Sequence, residues 1–367
     1  MAGVYDSPNT IEGALKGLRA LLSFADECGH DLEGRLLQGE RIEPKLIRAF
    51  ALWLEQRYGK ADGIMSQASR RTFNATLLQA RIAEAWFITM YWTADDPVLR
   101  GYEIQNVLAT QKAAWAHVAK RVKEKPVAPD MDEEDIRRID GFLANAAMSA
   151  NADPMWVRTF LIWRLAIEFG MRIGEILALR VEDCPNRHRP TFEIVRMEDR
   201  DHVDPRRTYA PRPKTLGRSL GILLANSAFP EFVLRYISEY RVTWKTRSDG
   251  SKRKSPQVLH PYLLVNDDGA PLPHVTARSL ATRISKETGV PFHWHLARHA
   301  FFNRAYAAIG RIPEVAEQNV RINDLVYWGG WSSPKSLDIY TNRARKHRAA
   351  HALAIWQGQQ EAWTSLR

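Results

Sequence analysis

Cysteine is nearly absent. Among 367 residues only Cys28 and Cys184 occur, far apart and with no His or Cys at ligand spacing, which excludes a disulfide framework and a zinc site. Long apolar runs are missing too: FLIWRLAIEF, residues 160–169, is interrupted by Arg164 and too short to span a bilayer. The opening MAGVYDSPNT has neither the basic start nor the apolar run of a secretion signal. No internal repeat or low-complexity segment is present. These absences lead us to expect a soluble protein of the reducing cytoplasm that needs no membrane partner.

Positive charge is abundant. Lys and Arg number 52 against 42 Asp and Glu, a formal charge of +10 with pI near 9.6. Such a balance favours an acidic polymer as partner, nucleic acid ahead of a membrane surface, because clustered cations displace counterions from phosphates. The excess is uneven, 17 against 15 before Asp130 and 35 against 27 from it onward.

The length suggests two domains. Helical periodicity marks four segments before residue 125: Asn9 to Cys28, Pro44 to Tyr58, Ser69 to Trp92 and Tyr102 to Lys123. Leu15, Leu18, Leu22 and Phe24 form the expected core stripe of the first; Leu46, Phe50, Leu52, Trp53 and Leu54 form that of the second. The charged, proline-bearing KEKPVAPD then reads as a linker, which sets domains at 1–124 and 131–367 around a linker at 125–130. Helices follow at Glu133 to Met148, Pro154 to Phe169 and Ile173 to Leu179, then a β-rich section from Thr191 to Leu224, then more helices. The fold class expected is mainly α with a small antiparallel sheet, α+β.

Four motifs could carry chemistry. In FGMRIGEILALR, Gly170 ends one helix in a left-handed conformation and places Arg172 at the start of the next, where an anion is favoured; Glu175 lies one turn on. A surface Arg–Glu pair is the plainer reading. In APRPKTLGRSLGI, Lys214 sits at a hairpin turn flanked by Arg206, Arg207, Arg212 and Arg218, a loop suited to phosphate-backbone contacts, although a lysine at a turn tip is usually just solvated. In FHWHLARHAFFNRAYAAIG, His295 and Arg298 share a helix face and could bind one phosphate, while His293 and His299 read as ordinary surface or core residues. Finally, GGWSSPKSLDIY caps a helix with Ser333 and Pro334 and places Tyr340 two turns in, Leu337 and Ile339 facing the core and Trp331 nine residues before it. Taken alone, Tyr340 reads as an aromatic with a hydrogen-bonded hydroxyl.

In this order, Arg172, Lys214, His295 with Arg298, and Trp331 with Tyr340 resemble the tyrosine recombinase (phage integrase) family, over residues 130–350. The upstream helices resemble that family's core-binding domain, and RIPEVAEQNVRIND, residues 311–324, reads as an insertion.

The resemblance implies a site-specific recombinase that needs neither metal nor other cofactor. Tyr340 would be the nucleophile, giving a 3′-phosphotyrosyl link. Arg172 and Arg298 would clamp the phosphate, Lys214 would be the general acid and His295 a base or phosphate ligand. Glu175 would orient Arg172 or His295, and Trp331 would pack or donate its indole N–H. Implied partners are double-stranded DNA with inverted repeats, clasped by both domains, a homotetramer resolving a Holliday junction, and accessory DNA-bending proteins. The stretch from Lys346 would pack on a neighbouring subunit, and no arm-binding domain is evident before Asn9. Two other readings stay open: a type IB topoisomerase-like activity, and a DNA-organising protein that does not cut.

Overall fold

Local signals start most of the helices. The structure, a computed structural model, describes residues 8–59, 65–94, 96–122, 131–186, 188–196, 199–200, 204–206, 211, 216–221, 228–246, 252–255, 258–338, 340–341, 349–350 and 352–357. The chain divides into two units, Met1–Pro126 and Val127–Arg367; the expected linker lies outside the described residues.

The first unit holds α1 (Pro8–Cys28), α2 (Leu32–Leu37), α3 (Pro44–Tyr58), α4 (Gln67–Tyr91) and α5 (Arg100–His117). Pro44 opens α3 at a position where no amide donor is needed, and the Ser66 hydroxyl accepts from the Ser69 amide to cap α4. The short α2, absent from the sequence reading, is capped by Asp31, which accepts from the Gly34 amide at 3.1 Å.

Two stripe residues were misplaced: Leu15 and Leu52 are 52% and 60% exposed. The buried face of α3 is Ile47, Phe50, Ala51 and Leu54, an i, i+3, i+4, i+7 set that turns Leu52 outward. In α1 it is Ala14, Leu21, Phe24 and Ala25. Glu84 is buried on α4 and accepts from the Ile42 amide at 2.8 Å, the Trp115 indole at 2.6 Å and the Gln111 amide. It ties α4 to α5 and to the loop before α3, and its burial pushes its pKa up despite these donors.

The second unit runs α6 (Glu133–Met148), α7 (Pro154–Phe169), α8 (Ile173–Ala178), β1 (Thr191–Ile194), β2 (Arg218–Gly221), α9 (Ala228–Arg235), β3 (Thr243–Thr246), β4 (Lys252–Ser255), α10 (His274–Thr288), α11 (Trp294–Ile309) and α12 (Val315–Gly329). This is the expected order, helices around a small antiparallel sheet; the β3–β4 pair is an addition. Helix α7 is the centre of the core, with α6 and α11 packed against it. Leu161, Ile162, Trp163 and Leu165 are fully buried, each stabilising the fold by about 2 kcal/mol relative to exposure. Arg158 can stay in that helix because its guanidinium donates to the Val265 carbonyl at 2.6 Å.

Strands β1 and β2 are antiparallel, with Thr191 opposite Gly221 and Ile194 opposite Arg218. Phe192, Ile194 and Leu220 face the core, and the Phe192 ring meets Phe169 edge-on at 5.3 Å. Residues 195–217 therefore leave the sheet at Ile194 and return at Arg218.

Most of the segment read as an insertion, residues 311–324, is helical. Residues 315–324 are the body of α12, and its last turn delivers Gly329, Gly330 and Trp331. The stretch before Tyr340 opens with one turn of 3-10 helix, Pro334–Ser336, which Ser333 caps through the Lys335 amide, and Asp338, Tyr340 and Thr341 are α-helical. No helix among the described residues is long and apolar enough to cross a membrane. Residues 352–357 are helical, and Leu353, Ile355 and Trp356 are about half exposed, at 51%, 52% and 56%.

Candidate active site

Gly170 closes α7 with φ 61°, a conformation that suits glycine, and a Cβ there would lie 2.4 Å from the Phe301 ring. The chain can therefore turn at once into α8, which Arg172 precedes. Glu175, in the first turn of α8, accepts from the Arg172 amide at 2.9 Å through Oε2 and from the Arg172 guanidinium at 3.0 Å through Oε1. The carboxylate is buried. Burial would raise its pKa, but Arg218 first, then Arg298 and Arg172, override that and hold it at about 2.

Helix α11 carries His295, Arg298 and His299. Arg298 is 1% exposed; its guanidinium donates to the Gly170 carbonyl and, at 3.1 Å, to that of Gly329. Its carbon lies 4.7 Å from the Phe302 ring centroid, 5.0 Å from Trp331 and 5.3 Å from Tyr340. Burial, and then Arg172, pushes its pKa down to about 10, while Glu175 and a hydrogen bond with the Tyr340 phenol oppose the fall.

The two histidines ring the phenol. His299 lies 4.5 Å from Tyr340 and His295 5.7 Å, with the imidazoles 4.6 Å apart. His295 keeps one edge in solvent, whereas His299 is buried. Both have pKa values lowered to about 4: for His295 by desolvation, then Arg298, His293 and Arg172; for His299 by desolvation, then His295 and Arg298. Both rings are therefore neutral at physiological pH. An NMR titration of the DNA-free protein is expected to find them neutral down to about 4; midpoints near the ordinary 6.5 would contradict this. Because unfolded histidines take up protons first, these rings stabilise the fold above the ordinary value and cease to do so as pH falls toward the depressed one.

Helix α12 supplies the far wall. The Gly329 carbonyl accepts from Arg172 at 3.1 Å as well as from Arg298, so two guanidinium groups converge on one oxygen. A Cβ at Gly329 would sit 2.4 Å from the Trp331 ring, so the close approach needs glycine. Trp331 packs on Phe302 at 4.7 Å and Tyr340 at 5.0 Å, a packing role rather than a titrating one. Tyr340 is only 7% exposed, and its backbone amide bonds the Leu337 carbonyl at 2.9 Å. Leu337 is buried as expected, while Ile339 lies outside the described residues. The result is a phenol beside Arg298 and two neutral imidazoles, with Arg172 joined to Arg298 through the Gly329 carbonyl and 20% exposed, a cluster able to take an anion on Arg172 and to move a proton at the phenol.

Arg172, Glu175, His295, Arg298, Trp331 and Tyr340 thus come together. Lys214, Arg207 and Arg212 lie outside the described residues. Two loop arginines read as DNA contacts are internal instead. Arg206 pairs with Asp204 and donates to the carbonyls of Leu177 at 2.9 Å and Leu272 at 3.2 Å. Arg218 pairs with Glu175 at 2.9 Å with its side chain 1% exposed. Both guanidinium groups are thus paired with carboxylates inside the protein rather than presented on a basic surface loop. His299, read from the sequence as an ordinary surface or core residue, is buried and lies beside Tyr340, four residues after His295 on the same helix face.

No protein-family model matches the chain. In sequence it is 25% identical over 313 residues to transposase A from transposon Tn554 of Staphylococcus aureus, covering 80% of this chain and 73% of that protein. Among solved structures it is similar to the Tn1549 transposon integrase in complex with circular intermediate DNA, with 14% identity, 89% of this chain, 98% of that chain and TM-score 0.48. The XerH site-specific recombinase in a post-cleavage complex has 14% identity, 89% and 96% coverage and TM-score 0.48. A lambda integrase dimer bound to a core site has 13% identity, 93% and 73% coverage and TM-score 0.47. The chain is similar to tyrosine recombinases in the order of its motif residues, and five of those six positions, Tyr340 among them, come together with Glu175.

Proposed function

We propose that this chain is a site-specific tyrosine recombinase that cuts and rejoins DNA. The observation that carries the reading is the assembly near one phenol of Arg172, of His295 with Arg298, and of Trp331, side chains from three separate segments of the chain. The likeness to a transposase over most of the chain, and the net charge of +10, support DNA as the substrate.

The Tyr340 oxygen attacks phosphorus, the bond to the 5′ oxygen breaks, and a 3′-phosphotyrosine forms with the bond energy conserved. Negative charge grows on the non-bridging oxygens, where Arg172 and Arg298 stabilise the transition state more than the ground state. Neutral His295 can accept the phenol proton or hydrogen-bond the phosphate, and Lys214 gives a proton to the departing 5′ oxygen. Trp331 packs the phenol against Arg298. A second 5′-hydroxyl then reverses the step and joins a new strand. Two such rounds in a DNA-bound homotetramer would pass through a Holliday junction; the half-exposed Leu353, Ile355 and Trp356 support packing of the C-terminal helix on a neighbouring subunit.

The test is a nicked suicide duplex carrying DNA that flanks the gene, incubated without metal. A covalent adduct whose peptide mass places DNA on Tyr340 is the expected result. Normal binding at low salt with no adduct on any flanking sequence would overturn the reading and leave DNA organisation without cutting.

A further inference from the structure

Arg218 is buried beside the candidate active site, its side chain 1% exposed, and nothing in the reaction above uses it. Its Nη1 and Nη2 meet the two carboxylate oxygens of Glu175 at 3.2 and 2.9 Å, a two-pronged pairing, while its Nε donates to the Trp328 carbonyl at 2.7 Å. One side chain thereby joins three elements: β2, which it opens; α8, through Glu175; and the end of α12, one residue before the carbonyl that Arg172 and Arg298 share.

We infer that Arg218 is a positioning residue for strand cleavage, holding the Glu175 carboxylate so that Glu175 can hold Arg172. The inference rests on the recombinase reading. Its physical basis is a division of labour. A buried carboxylate needs a buried cation. If Arg172 alone met that need, its guanidinium would be committed to Glu175 rather than to a phosphate. With Arg218 bonded to both oxygens from the closed side, Arg172 shares Glu175 and keeps 20% exposure toward solvent.

The experiment uses the full-length protein and the nicked duplex on which the wild type forms its Tyr340 adduct. Arg218→Met is expected to slow adduct formation at saturating protein by about 100-fold, the cost of a clamp displaced by an ångström, while duplex affinity stays within about twofold because no phosphate contact is lost. Its rate should also fall between about pH 8 and about pH 5.5, where the wild type's does not, because Glu175, facing only Arg172 at the start of its own helix and Arg298 from α11, now takes up a proton more readily. Arg218→Lys, which restores the charge without the fork, should recover part of the rate and the flat profile.

Three results would overturn the inference. Arg218→Met could cleave at the wild-type rate. It could instead lose affinity with a weaker salt dependence, the signature of a phosphate contact. Or both variants could lose activity equally at every pH, in proportion to the folded fraction seen by circular dichroism, which is a purely structural role. If the wild type forms no adduct, the recombinase reading itself fails and this inference falls with it.

Discussion

Tyr340→Phe is expected to abolish the covalent DNA complex, lowering its rate of formation by at least about 10⁴-fold, the scale seen when a nucleophile is removed. The ring contacts with His299, Trp331 and Phe302 survive the substitution. Only the hydroxyl and its hydrogen bond to Arg298 go, at about 1 kcal/mol of stability. Circular dichroism should therefore show a folded protein with nearly unchanged melting, and gel shifts should show unchanged binding. An adduct of normal yield in the Phe variant would move the nucleophile elsewhere. A variant that neither folds nor binds would show that the phenol is structural, which is the ordinary fate of a tyrosine 7% exposed.

Arg298→Met should lose at least about 10³-fold in cleavage rate, because removing a single donor to a developing oxyanion already costs 10²–10³ and Arg298 supplies a charged fork. Its effect on stability should be the reverse of what a buried residue usually shows. Arg298 is held as a cation in a site that lowers its pKa to about 10, with Arg172 opposing it. Its Nε has no hydrogen-bond acceptor among the described residues. Methionine fills similar space without charge, and Gly329 keeps the Arg172 donor. The melting temperature is therefore expected to equal or exceed that of the wild type, the pattern of a site that trades stability for activity. Cleavage within tenfold of the wild type, or a clear fall in melting temperature, would count against this account.

Much of the fold was legible where local chemistry decides it. The bounds of α3, α6 and α7 coincide with the periodic segments because a proline or an aspartate cap starts each one; Gly170 ends α7. The short α2 lacked the length for a periodic signal. The β3–β4 pair lies in a charged stretch, TWKTRSDGSKRKS, without the alternation that marks a half-buried strand. The stripe errors at Leu15 and Leu52 share a cause: apolar residues outnumber the positions one helix face can bury, and only the neighbouring helix selects among them.

The candidate site divides in the same way. Arg172, Glu175, His295, Arg298, Trp331 and Tyr340 were identifiable by residue type and order, and the Arg172–Glu175 contact by spacing along a helix start. Arg206 and Arg218 were misread because a basic loop looks alike whether its cations face phosphate or carboxylate. Their partners sit on segments far away in sequence: Leu177 and Leu272 for one, Glu175 and Trp328 for the other. Sequence by itself determined where helices begin and end and which residue types the chain can bring to a phosphodiester, since capping and periodicity act within a few residues. Tertiary structure alone decided that Arg206 and Arg218 pair with carboxylates inside the protein while Arg172 keeps 20% exposure, and that the phenol lies beside two neutral imidazoles, because burial and pairing depend on elements that meet only when the chain is folded.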